Sequence, residues 1–307
     1  MTASSAPIET VELTKRYGRI TALAGLSMRV EAGSVFGFLG PNGAGKTTAV
    51  KLLLGLARPT SGDAVVLGAP VSDEPAHRAA RRRVGYLPEL FRYPGWLSAR
   101  EVLAVHCELA RLERPWGSQI DAALRTVGLA ERAGDRVEGF SKGMQQRLGL
   151  AVALLGSPEV VVLDEPTSAL DPVGRHDVRE ILRSLRARGT TVFLNSHLLS
   201  EVEQVCDRVA VVDHGKVVAQ GTLAELLRSD SVRVRAADVS VDVRAEAARQ
   251  GFALEGDGDR LVAHGVDIER VPLLVGTLVR GGARVYSVEP VQQTLEDRFL
   301  QILGERH

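Results

Sequence analysis

One nine-residue stretch combines three glycines, a lysine and two threonines at a spacing suited to binding phosphate groups. Its members are Gly40, Pro41, Asn42, Gly43, Ala44, Gly45, Lys46, Thr47 and Thr48. They fit the pattern G-x-x-x-x-G-K-[ST], in which the loop aims successive backbone N–H groups at phosphate oxygens. Glycine permits this because it lacks a Cβ and tolerates positive φ. We expect Lys46 to neutralise the terminal phosphates and the Thr47 hydroxyl to bind Mg²⁺.

The segments on either side of this loop have the periodicities that the motif requires. Residues 35–39 are an apolar run that predicts a buried strand, and residues 49–56 predict a helix. This strand–loop–helix order separates a phosphate loop from a glycine-rich turn that matches the pattern by chance. The helix would add about half a positive charge at its N-terminus, which favours an anion.

Two adjacent carboxylates, Asp164 and Glu165, follow the apolar run 160–163. Burying such a pair costs free energy unless something compensates for it, and a divalent cation with a water nucleophile would use both acids. We predict that Asp164 holds the Mg²⁺ shell and that Glu165 polarises or deprotonates the attacking water. The alternative is a strand end with two solvated acids. The phosphate loop in the same chain favours the catalytic interpretation.

A serine precedes a predicted helix between these two segments. Residues 140–148 read Phe-Ser-Lys-Gly-Met-Gln-Gln-Arg-Leu, and helix-forming residues continue to position 155. Ser141 is therefore a predicted N-cap. Its hydroxyl, the N–H of Gly143 and the helix dipole would together form a second anion site. The alternative is a capped helix start that binds nothing.

The run 140–148 resembles the signature motif of ABC-transporter ATPases, whose consensus is Leu-Ser-Gly-Gly-Gln, and the resemblance extends over about residues 8–227. In that family the signature closes over ATP held by the opposite subunit. The resemblance therefore implies that this chain binds ATP and Mg²⁺ and pairs with a second ATPase subunit, as a homodimer. Lys142 and Met144 replace the first glycine and the glutamine of the consensus. They would lie beside Ser141 and Gly143 at the nucleotide. Lys142 would either strengthen the phosphate contact with its positive charge or point to solvent.

Four further residues match motifs of the same family. Tyr17 resembles the aromatic side chain that stacks on adenine, although a strand-end aromatic residue is a competing interpretation. Asp171, in the segment 168–171, resembles the loop that passes signals across the dimer, and His197 resembles the histidine that senses the γ-phosphate. Glu89 stands where the family usually has a glutamine that touches Mg²⁺, so the resemblance implies metal contact by Glu89.

The departures at Glu89 and at 142–144 look like the branch of the family that serves drug and antibiotic exporters. The segment 295–300, Leu-Glu-Asp-Arg-Phe-Leu, also resembles that branch. The resemblance implies an ATPase subunit bound to a membrane-spanning permease at the cytoplasmic face of the cell membrane. Phe91, Tyr93 and Trp96 belong to an aromatic-rich segment, and we expect them to help form the surface on which that permease docks. Local packing is the alternative for each.

Composition excludes several other classes. The chain has 307 residues, is 45% hydrophobic and carries a formal net charge of +0, so a nucleic-acid-coating protein is not expected. Its two cysteines, Cys107 and Cys206, suggest reduced thiols in a cytosolic protein. No apolar run approaches the roughly eighteen residues of a spanning helix, and the first residues lack a signal-peptide layout. We expect a soluble chain whose membrane role depends on a partner.

Strand-like and helix-like segments alternate along most of the chain, which favours an α/β fold with a largely parallel sheet. The predicted strands are 8–13, 26–30, 35–39, 63–67, 84–87, 159–163, 190–194 and 208–213, and the predicted helices are 49–56, 99–112, 119–127, 142–155, 173–188 and 223–227. The resemblance adds an antiparallel β subdomain and a helical signature subdomain at about 90–157 within an ATPase domain at 6–228. A small α/β accessory domain is expected at 231–307, after a break at 228–231.

Three other functions use part of the same motif set. A non-transport ABC ATPase of DNA repair or translation would carry a long coiled-coil insertion or two cassettes, and neither is visible. A small-molecule kinase with a phosphate loop would not need the run from Ser141 to Gln145. A regulatory nucleotide-binding module with little turnover would not need Glu165.

Overall fold

In a computed structural model, the chain is described over residues 6–168, 170–291 and 293–304. It divides into two compact units. The first contains the residues up to Leu223 together with 301–304, and the second runs from Ala224 to Leu300. The division lies a few residues before the break predicted at 228–231. The predicted accessory domain extends to 307, and its last three residues lie outside the described part of the chain.

The first unit contains ten strands and seven helices among its described residues. The strands are β1 (Ile8–Tyr17), β2 (Ile20–Val30), β3 (Val35–Leu39), β4 (Ser61–Val66), β5 (Ala69–Pro70), β6 (Val84–Leu87), β7 (Val160–Asp164), β8 (Thr191–Asn195), β9 (Arg208–Asp213) and β10 (Lys216–Thr222). The helices are α1 (Lys46–Leu53), α2 (Glu74–Arg81), α3 (Ala99–Leu109), α4 (Gly117–Thr126), α5 (Lys142–Ala153), α6 (Pro172–Ala187) and α7 (Leu199–Val205).

Two sheets organise these elements. The larger has the order β10-β9-β3-β8-β7-β6, with parallel pairing from β9 to β6 and an antiparallel edge strand, β10. The smaller is antiparallel, in the order β2-β1-β4-β5. Because the central strands are parallel, the carboxyl ends of β3, β6, β7 and β8 lie at one edge of the larger sheet, where α/β folds place their ligands.

The central strands are buried along their whole length and mostly apolar, as in parallel sheets that are covered on both faces. Every residue of β3, β7 and β8 is buried. The rings of Phe36 and Phe38 on β3 pack against Phe193 on β8, with centroids 5.9 and 5.2 Å apart. These rings pack together on neighbouring strands beneath the carboxyl edge.

A helical part made of α3, α4 and α5 is inserted between β6 and β7. Helix α3 begins with a capping box, in which Ser98 accepts from the N–H of Glu101 and the Glu101 carboxylate accepts from the N–H of Ser98. Helix α5 begins after Ser141, whose hydroxyl accepts from the N–H of Met144. The N-cap predicted at Ser141 is therefore confirmed.

The second unit has the strand–helix–strand–strand–helix–strand order of a ferredoxin-like fold. Its elements are α8 (Leu223–Leu226, which starts at the boundary), β11 (Ser231–Ala237), α9 (Val241–Arg249), β12 (Ala253–Glu255), β13 (Arg260–His264), α10 (Val271–Arg280), β14 (Arg284–Pro290) and α11 (Leu295–Gly304, which crosses the boundary). The sheet is antiparallel, in the order β12-β13-β11-β14. Buried residues such as Val234, Phe252 and Leu278 form its core.

The predicted α/β class, with its antiparallel sheet, helical part and small C-terminal α/β unit, is confirmed. Sequence patterns did not predict α2, α7, β5, β10 and β12. Helix α2 was missed because its sequence, Glu-Pro-Ala-His-Arg-Ala-Ala-Arg, has no large apolar residue, and only His77 and Ala80 are buried along it. Strand β10 is an edge strand with few buried residues, and α7 and β12 are short. Helix α1 was predicted three residues too late, since it begins at Lys46.

Candidate functional site

The loop between β3 and α1 has a backbone that accepts only glycine at two positions. A Cβ on Gly40 would lie 2.3 Å from the carbonyl oxygen of Val212. A Cβ on Gly45 would lie 2.3 Å from the carbonyl oxygen of Ala22, and Gly45 has φ of +102°. These close approaches hold the loop against β9 and β2. They explain in steric terms why glycines stand at both ends of the motif.

Lys46 is the first residue of α1 and folds back over the loop. Its Nζ donates to the carbonyl oxygens of Gly40 at 2.7 Å and Pro41 at 3.2 Å, and the side chain is only 8% exposed. Burial lowers the pKa of Lys46, while the nearby carboxylates of Glu165, Asp164 and Glu89 act to raise it. The lysine is thus a buried cation bound to two carbonyl groups and close to three acids.

Helix α1 starts without a side-chain cap, so its first N–H groups point toward the space above the loop. Thr47 is exposed and Thr48 is half-buried. The first turn therefore presents a hydroxyl group and free N–H donors together, an arrangement suited to an anion and its counter-cation.

Asp164 is the last residue of β7 and lies directly opposite Asn195, the last residue of β8. The Asn195 side-chain amide donates a hydrogen bond to Oδ1 of Asp164. Burial raises the pKa of Asp164, and this hydrogen bond, together with Lys46, acts in the opposite direction. The carboxylate is buried in the protein and held by a partner that the sequence analysis did not assign to the site.

Glu165 adopts a backbone conformation that is rare for a residue with a side chain. Its φ is +52°, and its N–H donates to the carbonyl oxygen of Asn195 at 2.9 Å. His197 Nδ1 lies 2.8 Å from Oε2 of Glu165, yet this oxygen is buried without a hydrogen bond of acceptable geometry. The strained backbone therefore keeps an available carboxylate oxygen at the carboxyl edge of the sheet.

Glu89 follows β6, the strand next to β7, and its side chain is exposed. Its negative charge acts to raise the pKa of Asp164, of Lys46 and of the Tyr86 phenol. The structure thus brings Lys46, Asp164, Glu165, His197 and Glu89 to one edge of the larger sheet.

The donor set at this edge suits Mg²⁺ bound jointly by protein and phosphate. Thr47 offers a hydroxyl, and Asp164 and Glu89 offer carboxylates. Asn195 Oδ1 is buried and unpartnered, as is Oε2 of Glu165. Over the ranges described, no group of three or more His, Cys, Asp and Glu residues forms a metal cage by itself. Mg²⁺ usually takes one or two carboxylates and completes its shell with water and phosphate oxygens, which these residues allow.

The signature residues form a separate group. A Cβ placed on Gly143 would make ordinary van der Waals contacts with Leu170 Cδ2 at 3.7 Å and Ser141 Oγ at 3.9 Å. Lys142 is exposed, and Met144 is half-buried. Within the described residues, no hydrogen bond joins Ser141 or Gly143 to Lys46 or Asp164.

Asp171 caps helix α6, its Oδ1 accepting from the N–H of Gly174 at 2.8 Å. The hydroxyl of Ser168 donates to the carbonyl oxygen of Glu165, which links this segment to the acid edge. The predicted loop 168–171 includes Ala169, which lies outside the described residues. Tyr17 ends β1, is 46% exposed, and has Lys15 Nζ 4.9 Å from its ring centroid.

The aromatic segment after β6 is not a uniform surface. Phe91 and Tyr93 pack against each other with centroids 5.4 Å apart, and Tyr93 meets His106 edge to face. A Cβ on Gly149 would lie 2.7 Å from the Phe91 ring, and burial raises the pKa of the Tyr93 phenol. Both residues therefore pack within the helical part and are half-buried, and the expectation that they help form a docking surface stays a prediction. Trp96 remains 71% exposed.

Comparisons with known proteins agree with this geometry. The profile of the ABC transporter family matches residues 23–168. The chain is 40% identical over 309 residues to an uncharacterized ABC transporter ATP-binding protein of Synechocystis sp., covering 97% of this chain and 85% of that protein. It is 38% identical to the Nod factor export ATP-binding protein I of Burkholderia orbicola, covering 98% of each. A solved ATP-binding subunit of an ABC transporter superposes with a TM-score of 0.63 at 29% identity, over 71% of this chain and 91% of that one.

Proposed function

This chain belongs to the ATP-binding subunits of ABC transporters, and we propose that it hydrolyses ATP between two copies to drive a membrane-spanning export subunit. The observation that carries the proposal is the meeting of Lys46, Asp164 and Glu165 at the carboxyl edge of one sheet, while Ser141 caps a separate helix. The first group can bind and cleave a phosphoanhydride, and the second is available to a partner.

The phosphate loop would bind the terminal phosphates of ATP. The N–H groups at the start of α1 and the Lys46 ammonium would donate to phosphate oxygens once Lys46 exchanges its carbonyl partners for them. The exposed ring of Tyr17 would stack on the adenine. Bound Mg²⁺ would supply positive charge to the phosphates, with Thr47, Asp164 and Glu89 as its protein ligands.

Glu165 would accept a proton from the attacking water. Its unpartnered Oε2 supports this role because it has a free acceptor site in a buried setting. His197 lies beside that oxygen and is exposed on its other side, so it would contact the γ-phosphate while orienting the carboxylate. Asn195 would keep Asp164 in its metal-binding orientation.

A second copy of the chain would complete each site. The hydroxyl oxygen of Ser141 accepts from the N–H of Met144, so its O–H would be free to donate to a phosphate across the interface, and Gly143 has no side chain to obstruct that contact. Lys142 and Met144 flank that contact. Asp171, which fixes the start of α6, would hold the segment 168–171 at the interface. Two ATP molecules would then lie between two copies arranged head to tail.

The membrane-spanning partner would dock on the helical part of the first unit. A groove of about 400 Å³ lies between α2, α3 and the end of α5, with Val84 and Leu155 among its apolar lining and Arg78 and Arg111 among its charged lining. His106 lines the groove and contacts Tyr93, so the aromatic segment borders it. Exposed Trp96 would add to the contact.

Association with the membrane would come through this partner, at the cytoplasmic face. Among the described residues, no helix combines the length and apolar character needed to cross a bilayer. The direction of transport is proposed as export because a relative that covers 98% of this chain is named for Nod factor export. The cargo is proposed as a drug, an antibiotic or another hydrophobic compound, on the resemblance to the efflux branch.

Replacing Glu165 with glutamine tests the proposal. The variant should bind ATP as the wild type does, lose at least 100-fold in steady-state hydrolysis, and elute as a dimer in the presence of ATP. Glu131→Gln, at an exposed glutamate outside the site, is the matched control and should behave as wild type. Unchanged hydrolysis by Glu165→Gln, or a monomer at saturating ATP, would overturn the proposal.

A further inference from the structure

The central strand of the second unit has one apolar and one charged face. On β11, Val232, Val234 and Ala236 are buried in the core beneath α9 and α10, whereas Arg233 and Arg235 are exposed. The neighbouring strand β13 alternates in the same way, with Leu261 and Ala263 buried and Arg260 exposed. The sheet therefore turns an arginine-bearing face away from its helices.

Two of these arginines occupy directly opposite positions. The antiparallel register pairs Arg235 with Arg260, and places Arg233 between Val262 and Glu289. Residues opposite each other have Cβ atoms roughly 4.5–5.5 Å apart, and like charges in such a pair are destabilising. Within the described ranges, none of the three guanidinium groups has a carboxylate within ion-pairing distance. The face thus concentrates three arginines on its two central strands without a direct ion pair to any of them among the described residues.

An exposed tyrosine lies beside the pair. The guanidinium carbon of Arg235 is 5.5 Å from the centroid of the Tyr286 ring, and the tyrosine is 54% exposed. The register between β11 and β14 shifts between Arg235 and Ala236, which leaves Tyr286 as the extra residue of a bulge. Bulges re-aim side chains, and this one brings a phenol group next to the arginines.

The other ionisable groups of the face lie on its edge strands or are already engaged. Glu255 on β12 and Glu289 on β14 flank the arginines from opposite sides. His264 bonds Ser231 through Nδ1 at 2.9 Å, and its Nε2 lies 3.2 Å from Glu255. Arg284 pairs with Asp238. Acidic residues also outnumber basic ones in the segment 224–300. An extended polyanion such as a nucleic acid or an anionic bilayer would meet these acids, whereas a compact anion would reach only the centre.

We propose that Arg233, Arg235 and Arg260 form a binding site for a compact, soluble, phosphate-bearing anion. Guanidinium groups recognise phosphate through paired N–H donors. Three of them match the double charge of a phosphate monoester better than the single charge of a carboxylate. The anion would turn the repulsion between Arg235 and Arg260 into attraction, and the Tyr286 hydroxyl is available as a further donor. The site is separate from the phosphate loop and does not depend on the proposed export function.

The test uses the full chain with its phosphate loop filled by saturating ADP, and inorganic phosphate as the probe. Hydrogen exchange of the peptides that cover β11 and β13 should slow with phosphate at constant ionic strength. In the double variant Arg235→Gln, Arg260→Gln, the phosphate concentration needed for half of this protection should be at least tenfold higher than in the wild type. The same variant should exchange more slowly than wild type without phosphate, because the like-charge pair is gone.

Arg280→Gln is the matched control, since Arg280 is an exposed arginine on α10, outside the sheet face. It should retain the full phosphate response. Absence of phosphate-dependent protection in the wild type, or equal protection in the double variant, would overturn the proposal. The proposal would also be overturned if the protein sedimented with vesicles that contain anionic phospholipid but did not respond to phosphate. The face would then bind a surface and not a compact anion.

Discussion

The side-chain amide of Asn195 donates a hydrogen bond to Oδ1 of Asp164 across the β7–β8 pair, at the carboxyl edge of the larger sheet. Asp164 is buried, and burial raises its pKa, whereas this hydrogen bond acts to lower it. Asn195 therefore acts as a positioning residue for the proposed metal ligand. None of the sequence motifs predicted this role for Asn195.

Replacing Asn195 with leucine should move the pH profile of ATP hydrolysis. Loss of the donor raises the pKa of Asp164 further, so ionisation requires a higher pH and the acidic limb of kcat/KM shifts upward. A hydrogen bond to a charged group contributes about 1.5–3 kcal/mol, so the acidic limb should move upward by about one to two pH units. Gln204→Leu, at an exposed amide, is the control. A uniform loss with an unshifted limb would contradict this role.

Two glycines of the phosphate loop, Gly43 and Gly45, should differ in their tolerance of an added methyl group. Gly45→Ala combines an unfavourable φ with a Cβ 2.3 Å from the Ala22 carbonyl, whereas Gly43→Ala has a positive φ but nothing within 4 Å. We expect a loss of about 1 kcal/mol in the free energy of unfolding for Gly43→Ala and of about 3 kcal/mol or more for Gly45→Ala. Urea unfolding of both variants measures the difference. Equal losses would mean that the loop does not pack on β2 as described.

A mixing experiment tests the head-to-tail arrangement. Lys46→Ala and Ser141→Arg should each abolish hydrolysis, the first by losing the phosphate ligand and the second by blocking the signature. In the proposed arrangement each site takes Lys46 from one copy and Ser141 from the other, so a mixed dimer would contain one intact site. Activity should therefore reappear when the two inactive proteins are mixed in a steady-state assay. Mixing Lys46→Ala with Lys46→Arg supplies the control, and persistent inactivity of the first mixture would exclude the shared site.

Truncation of Phe91 and of Trp96, two aromatic residues of one segment, should affect different properties of the protein. Phe91→Ala removes a ring packed against Tyr93 and Gly149, and we expect a loss of about 2 kcal/mol in the free energy of unfolding. Trp96→Ala removes an exposed ring and should leave both stability and basal ATP hydrolysis unchanged, while weakening association with the membrane-spanning subunit in a co-purification assay. Full retention of that association would remove Trp96 from the docking surface.

Much of the fold could be predicted from local patterns. Apolar runs such as 35–39 and 160–163 predicted central strands because a parallel sheet covered on both faces requires uniformly apolar residues. Helix α2 could not be predicted in the same way, since its stability depends on contacts beyond its own turns. His77 and Arg81 bond the carbonyl oxygens of Leu53 and Leu54 at the end of α1. Such contacts leave no periodic signal in the helix itself.

The sequence alone determined the chemical types at the site and their order along the chain: a glycine loop with Lys46, an acid pair at Asp164 and Glu165, and a capped helix after Ser141. Only the tertiary structure decided which of them meet. Asn195, 31 residues from Asp164, became its partner through strand register, and Arg235 came to face Arg260 for the same reason. The physical cause is that residue type fixes local sterics and charge, whereas pairing across strands and burial depend on cooperative packing between segments distant in sequence.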